Sequence, residues 1–133
     1  MKIKKEIVQE IIQKNNETKS YKNLADTEFV AIKDISLESL KWSDSRIALR
    51  DFIANLSTEE LIDLIALMDY GREHYNMRDK SKNMVEFMEK RKNLNIKTIE
   101  EKKYKASYLL GKIYLSEYLQ YSLQLFENED FKF

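Results

Sequence analysis

Residues 57–75 read STEELIDLIALMDYGREHY, and what this stretch forms decides the fold. Ser57, followed three residues later by Glu60, has the form of a capping box, in which hydroxyl and carboxylate reciprocally satisfy backbone amides left open at a helix start. At 100° per residue, Leu61, Ile62, Leu64, Ile65, Leu67 and Met68 cover an arc of about 220°, against the roughly 100° stripe of a surface helix. The spacing predicts a central helix. Gly71 then predicts its end near Tyr70, with the glycine as a left-handed cap and Arg72, His74 and Tyr75 projecting from a turn.

The same helical grammar extends in both directions. Two glycines and no proline in 133 residues leave almost none of the turn punctuation of a β-sandwich or barrel. The expected fold is all-α, a single-domain bundle of five or six helices over residues 1–133. Ile3, Ile7, Val8, Ile11 and Ile12 fall on one side of a first helix, after which periodicity is lost and a polar loop is expected near 15–28. Phe29-Val30-Ala31-Ile32 reads as an extended segment or a turn of helix. A helical signal from Leu37 runs through Arg46, Ile47, Leu49, Phe52, Ile53 and Leu56. Residues 80–93 form a peripheral amphipathic helix with Met84, Phe87 and Met88 inward, and Lys90, Arg91 and Lys92 at the end where positive charge suits the helix dipole. Thr98 and Glu101 open a further helix as a second capping box, with Ile99, Ala106 and Leu110 on one face and Gly111 as C-terminal cap. A last helix runs from about Tyr114 to Phe126, followed by a frayed tail over 127–133.

Composition narrows the chemistry. A chain without cysteine has no disulfide, thiolate zinc site or cysteine nucleophile, which fits a reducing, cytoplasmic setting. No apolar run suits a signal peptide or a membrane span. Acidic and basic residues balance at 23 each, yet residues 36–73 carry a net −4 and residues 74–113 a net +6. Steering depends on where charge sits, so the basic segment hints at an anionic partner.

Two segments around the glycines resemble a bacterial family of small helical proteins known only as a domain of unknown function. Its pattern is close to Leu-Ser-x-Glu-Glu, then Ala-Leu-Met-Trp-x-Gly-Arg, and later Tyr-Leu-Leu-Gly-x-x-x-Leu-x-x-Tyr-Leu. Here Leu56-Ser57-Thr58-Glu59-Glu60, Ala66-Leu67-Met68, Gly71-Arg72, and Tyr108-Leu109-Leu110-Gly111 with Leu115, Tyr118 and Leu119 stand in those places. Asp69 replaces the usual Trp, and Glu73-His74 the frequent Gly-Asp. The resemblance covers about half of the chain and implies a small helical fold without implying an activity.

Asp69, Glu73 and His74 suggest a carboxylate centre, but His74 projects about 100° from Glu73 and no further ligand spacing completes a metal site. No metal or cofactor is expected. A serine nucleophile would need the single histidine and a Gly-x-Ser-x-Gly elbow that is missing. Tyrosine is more suggestive. In the last helix Leu115, Leu119, Leu123 and Phe126 form one stripe, and Tyr114, Tyr118, Tyr121 and Leu125 a second beside it, an arc of about 200°. Either that helix lies in the middle of the bundle or part of its tyrosine stripe faces a partner. Tyr104 and Tyr108 lie opposite Ile99 and Leu110 and are expected at the surface.

The expected function is therefore a non-catalytic protein-binding module, an inhibitor of antitoxin, immunity or phage anti-defence type, acting by surface occupation through Arg72, His74, Tyr75, Tyr104, Tyr108, Tyr114 and Tyr121. The first alternative is a nucleic-acid-binding regulator using region 78–112, with Lys90, Arg91, Lys92, Lys102, Lys103 and Lys105 on phosphates. The second is an enzyme relying on carboxylates near the 69–74 turn.

Overall fold

The computed structural model describes residues 1–18, 43–77 and 84–126. They form an all-α, single-domain bundle of six described helices with no strand among the described residues. These are α1 (Lys5–Thr18), α2 (Asp44–Ala54), α3 (Thr58–Met77), α4 (Met84–Lys92), α5 (Ile99–Leu110) and α6 (Leu115–Phe126). The expectations for residues 19–42, including the segment at Phe29, and for the tail over 127–133 lie outside the described residues.

Local chemistry sets the helix starts. Ser57 Oγ accepts from the Glu60 amide at 3.1 Å while Glu60 Oε1 accepts from the Ser57 amide at 2.9 Å, so the capping box forms as expected. Ser43 caps α2 by accepting from the Arg46 amide at 3.2 Å. At α5 the Thr98 hydroxyl accepts from Glu101, but the Glu101 carboxylate reaches back to the Lys97 amide, one residue before the cap. Gly111 closes α5 at φ −72°, with its amide bonded to Ser107 O at 2.9 Å.

α3 is the central rod. Leu61, Leu64, Ile65, Ala66, Leu67, Met68 and Tyr70 are buried, as the wide apolar arc requires. Its main neighbour is α6, which also packs on α1, while α2 lies on α5 and α4 covers another side of α3. Leu115, Leu119, Leu123 and Phe126 form the buried stripe of α6. Tyr70, Phe87 and Phe126 meet with ring centroids 5.2–6.0 Å apart, so an aromatic triangle joins α3, α4 and α6.

The expected stop at Gly71 does not occur. α3 continues to Met77, and Gly71 sits where its backbone meets that of α6. A methyl group there would collide with the Tyr118 carbonyl and come 2.5 Å from Ser122 Oγ. The Ser122 hydroxyl donates to Leu67 O across the same crossing. The glycine's role is thus interhelical clearance rather than a left-handed cap.

The loop expected from Asn15 is also corrected, because α1 runs on to Thr18. Asn15 is buried and turns inward to a polar network: Arg46, itself fully buried, donates to Asn15 Oδ1, to Thr18 Oγ1 at 3.0 Å and to Leu110 O at 2.6 Å. Asn15 Nδ2 donates to Ser116 Oγ at 2.6 Å. Helices α1, α2, α5 and α6 are tied at this point. Two faces differ from expectation as well. Met88 is 47 % exposed and Ile99 68 % exposed, whereas Phe87, Ala106, Leu109 and Leu110 enter the core.

Gly71→Ala gains about 1 kcal/mol of helix propensity but forces α3 and α6 apart, so a net loss of about 1–3 kcal/mol is expected in urea unfolding. Asn15→Leu removes an acceptor from a buried guanidinium and a donor from Ser116, and is expected to cost about 2–4 kcal/mol in the same measurement.

Candidate functional site

Because α3 continues past Gly71, the residues of the expected turn are distributed around a helix. His74 falls one turn after Tyr70 and is buried at 6 % exposure, stacked on the Tyr70 ring at 4.1 Å, with Nε2 3.6 Å from the Glu86 carboxylate of α4. It does not project into solvent as expected. Arg72 stays half-buried and pairs with Asp69 at 3.2 Å. Burial pushes the Asp69 carboxyl above its ordinary range, opposed by Arg72. Glu73 accepts from Lys90 at 2.7 Å, and that hydrogen bond holds its carboxyl below the usual range against the opposing effect of burial.

These contacts make a charged seam between α3 and α4. Its far end is Asp63, a fully buried carboxylate within the apolar arc. Asp63 Oδ2 accepts from the Lys2 and Ile3 amides at 2.6 and 3.0 Å, and Arg91 Nε lies 2.5 Å from Oδ1. The sequence offered one sign of this residue: a lone acid inside Leu61–Met68, where an apolar face calls for a buried partner.

Two open grooves flank the bundle. One of about 790 Å³ is lined by Lys2, Glu59, Ile62, Met88, Glu89, Arg91 and Lys92. The other, of about 670 Å³, runs between α1 and α6 past Gln9, Gln13, Gln120 and Gln124. Neither is lined by Asp69, Glu73 or His74. Among the described residues, no group of three or more such side chains could hold a metal ion. No described helix is long and apolar enough to cross a membrane.

The tyrosines present a second constellation. Tyr75 on α3 packs against Tyr121 at 5.8 Å and Tyr118 at 5.6 Å, and Tyr118 meets Tyr114 at 6.3 Å, each pair inclined edge to face. Tyr118 is buried, Tyr121 half-buried, Tyr75 39 % exposed and Tyr114 53 % exposed. Ile113, 64 % exposed, precedes Tyr114. The structure thus unites Tyr75, Tyr114 and Tyr121 of the expected residues through Tyr118. Tyr104 is exposed and makes none of these contacts. Tyr108 is half-buried, with the Lys112 and Lys105 ammonium groups 4.4 and 5.7 Å from its ring.

The expected phosphate-binding residues are divided. Lys90 and Arg91 are held in the seam, Lys105 sits over Tyr108, Lys102 is half-buried, and Lys92 and Lys103 are exposed.

A family model described as "Protein of unknown function (DUF3775)" matches residues 46–127, more than half of the chain. The chain belongs to that family. No curated protein and no solved structure matches it. The DUF3775 region opens on Arg46 and takes in α2 to α6, so it holds both the charged seam and the tyrosine cluster, while α1 lies outside it.

Lys90→Gln is expected to destabilise the protein by less than about 1 kcal/mol at neutral pH, since the Glu73 side chain is 44 % exposed and solvent screens the pair. The sign follows from the lowered Glu73 carboxyl: its contribution is present above the unfolded glutamate value and lost as pH falls through the folded one. Urea unfolding of the two proteins at about pH 7 and about pH 3 is expected to show a difference that shrinks in acid.

Proposed function

We propose that the protein is a non-catalytic protein-binding module that acts by surface occupation, with the tyrosine cluster of α3 and α6 as its docking surface. The observation that carries this reading is the edge-to-face chain Tyr121, Tyr75, Tyr118 and Tyr114, part buried for rigidity and part exposed for contact, beside the exposed Ile113. Tyrosine offers a large apolar area with a polar tip and loses few rotatable bonds on binding, which is why it concentrates binding energy at interfaces. Arg72, one turn before Tyr75, lies at the edge of this surface. Tyr104 and Tyr108 extend the same chemistry along α5.

The alternatives draw less support from the geometry. A nucleic-acid regulator would use Lys90 and Arg91, yet both are engaged by carboxylates, and the chain's net charge is zero. An enzyme would use Asp69 and Glu73, yet neither lines either groove. Within the binding class we favour a cytoplasmic inhibitor of bacterial or phage origin, of antitoxin, immunity or anti-defence type. That choice rests on small size and a surface that offers contacts rather than a reaction centre.

The test is the double variant Ile113→Ser, Tyr114→Ala. Both side chains are more than half exposed, so the melting midpoint is expected to move by only a few degrees, while affinity for a protein that the unsubstituted chain captures from a bacterial lysate falls at least about tenfold. Unchanged affinity in folded protein would overturn the assignment. Binding to mixed DNA and RNA at low salt is expected to be undetectable; binding that weakens steeply with salt would favour the regulator instead.

A further inference from the structure

We infer that residues 1–4 are a strap coupled to α4: both are seated on α3 through Asp63, and when one lifts the other lifts with it, opening the groove between them. The inference concerns another part of the molecule than the tyrosine cluster and does not rest on it.

The strap is held by its backbone. α1 begins at Lys5 and its first carbonyl acceptor is Lys4 O, so the Lys2 and Ile3 amides lie ahead of the helical ladder. Both donate to one atom, Asp63 Oδ2, at 2.6 and 3.0 Å, and the Ile3 side chain is fully buried. The Lys2 side chain contributes little, since it meets Glu59 at 3.9 Å with both side chains about two-thirds exposed. The second oxygen of Asp63 belongs to α4: Arg91 Nε lies 2.5 Å from Oδ1.

One fully buried carboxylate thus serves two segments, one on each oxygen. A charge in that position needs both sets of donors, because an unmet buried charge costs more than a paired one gains. If Arg91 departs, two amides are left to hold the charge; if the strap departs, Oδ2 loses both of its donors. Either loss favours hydration of Asp63, and water gains room there as the remaining partner moves off. The pair of Glu73 with Lys90 differs, since its glutamate is 44 % exposed and water already shares the charge. The groove of about 790 Å³ is lined by Lys2 of the strap, Ile62 of α3, and Met88, Arg91 and Lys92 of α4, so it keeps its form only while strap and α4 are both seated. Asp63 and Arg91 fall inside the family match, and the strap falls outside it.

Amide hydrogen exchange of the full 133-residue chain, followed by NMR over a range of low urea concentrations, tests the coupling. The amides of Lys2 and Ile3 and those of α4 from Met88 to Lys92 are expected to share one opening constant and one urea dependence. Leu119 and Leu123 of α6 are expected to open at least about tenfold less often. Arg91→Gln should raise the opening constant of the strap amides at least about tenfold, although the ion pair of Arg91 is with Asp63 and not with the strap. Coupling is reciprocal, so Lys2→Pro, which removes the amide, should raise the opening constant of α4 by a similar factor, and Lys2→Ala, which keeps the amide, should not. Asp63→Asn combined with Arg91→Gln should open less often than Arg91→Gln alone, because no uncompensated buried charge remains. Unchanged strap exchange in Arg91→Gln, unchanged α4 exchange in Lys2→Pro, or a double variant no better than the single one would each overturn the inference. So would one opening constant shared with Leu119 and Leu123, since the strap would then leave only when the whole bundle unfolds. If Lys2→Pro fails to fold, the Arg91→Gln comparison decides alone.

Discussion

The bundle depends on one close approach. At Gly71 the backbone of α3 comes into contact with that of α6, and the Ser122 hydroxyl bonds Leu67 O across the gap. Interaxial distance is set by the side chains at the crossing, and here one of them is a hydrogen. Drawing the two rods together seals Leu64, Ile65, Met68, Leu115 and Leu119 from water. It also brings Tyr75, one turn beyond the glycine, level with Tyr118 and Tyr121. The core and the proposed docking surface therefore have a common origin.

Around that crossing, polar chemistry fixes the remaining elements. The Arg46 network fastens α1, α2, α5 and α6, and the seam of Asp63 with Arg91, Glu73 with Lys90 and His74 with Glu86 holds α4 to α3. A buried carboxylate pair such as Asp63 with Arg91 adds modest net stability, because desolvation offsets much of its attraction. The geometric demands of the seam contacts are strict, however, and they act on α4 beside the buried Phe87 in fixing its position.

What was legible in the sequence follows from interaction range. Helix starts depend on residues three apart, so the Ser57 box and the Thr98 cap could be read directly, and the width of the Leu61–Met68 arc gave the central place of α3. Gly71 was misread because its neighbour, Tyr118, is distant in the chain, and a glycine after an apolar run has the local appearance of a cap. Asn15 was misread for the same reason: a polar residue at the end of a periodic run resembles a loop unless its partner Ser116 is known. The tyrosine stripe was visible along α6, but Tyr75, the ring that links Tyr118 to Tyr121, comes from another helix. Met88 and Ile99 went astray because short helices have faces only a residue or two wide, and a small rotation exchanges inside for outside.

The Arg46 network carries a consequence for where this protein's borders lie. Arg46 is the first residue of the DUF3775 match, yet two of its acceptors, Asn15 and Thr18, belong to α1 outside the match. α1 also lays Val8, Ile11 and Ile12 into the shared core. The border of the family match thus cuts through a hydrogen-bonded centre, and the packed core is larger than the matched region.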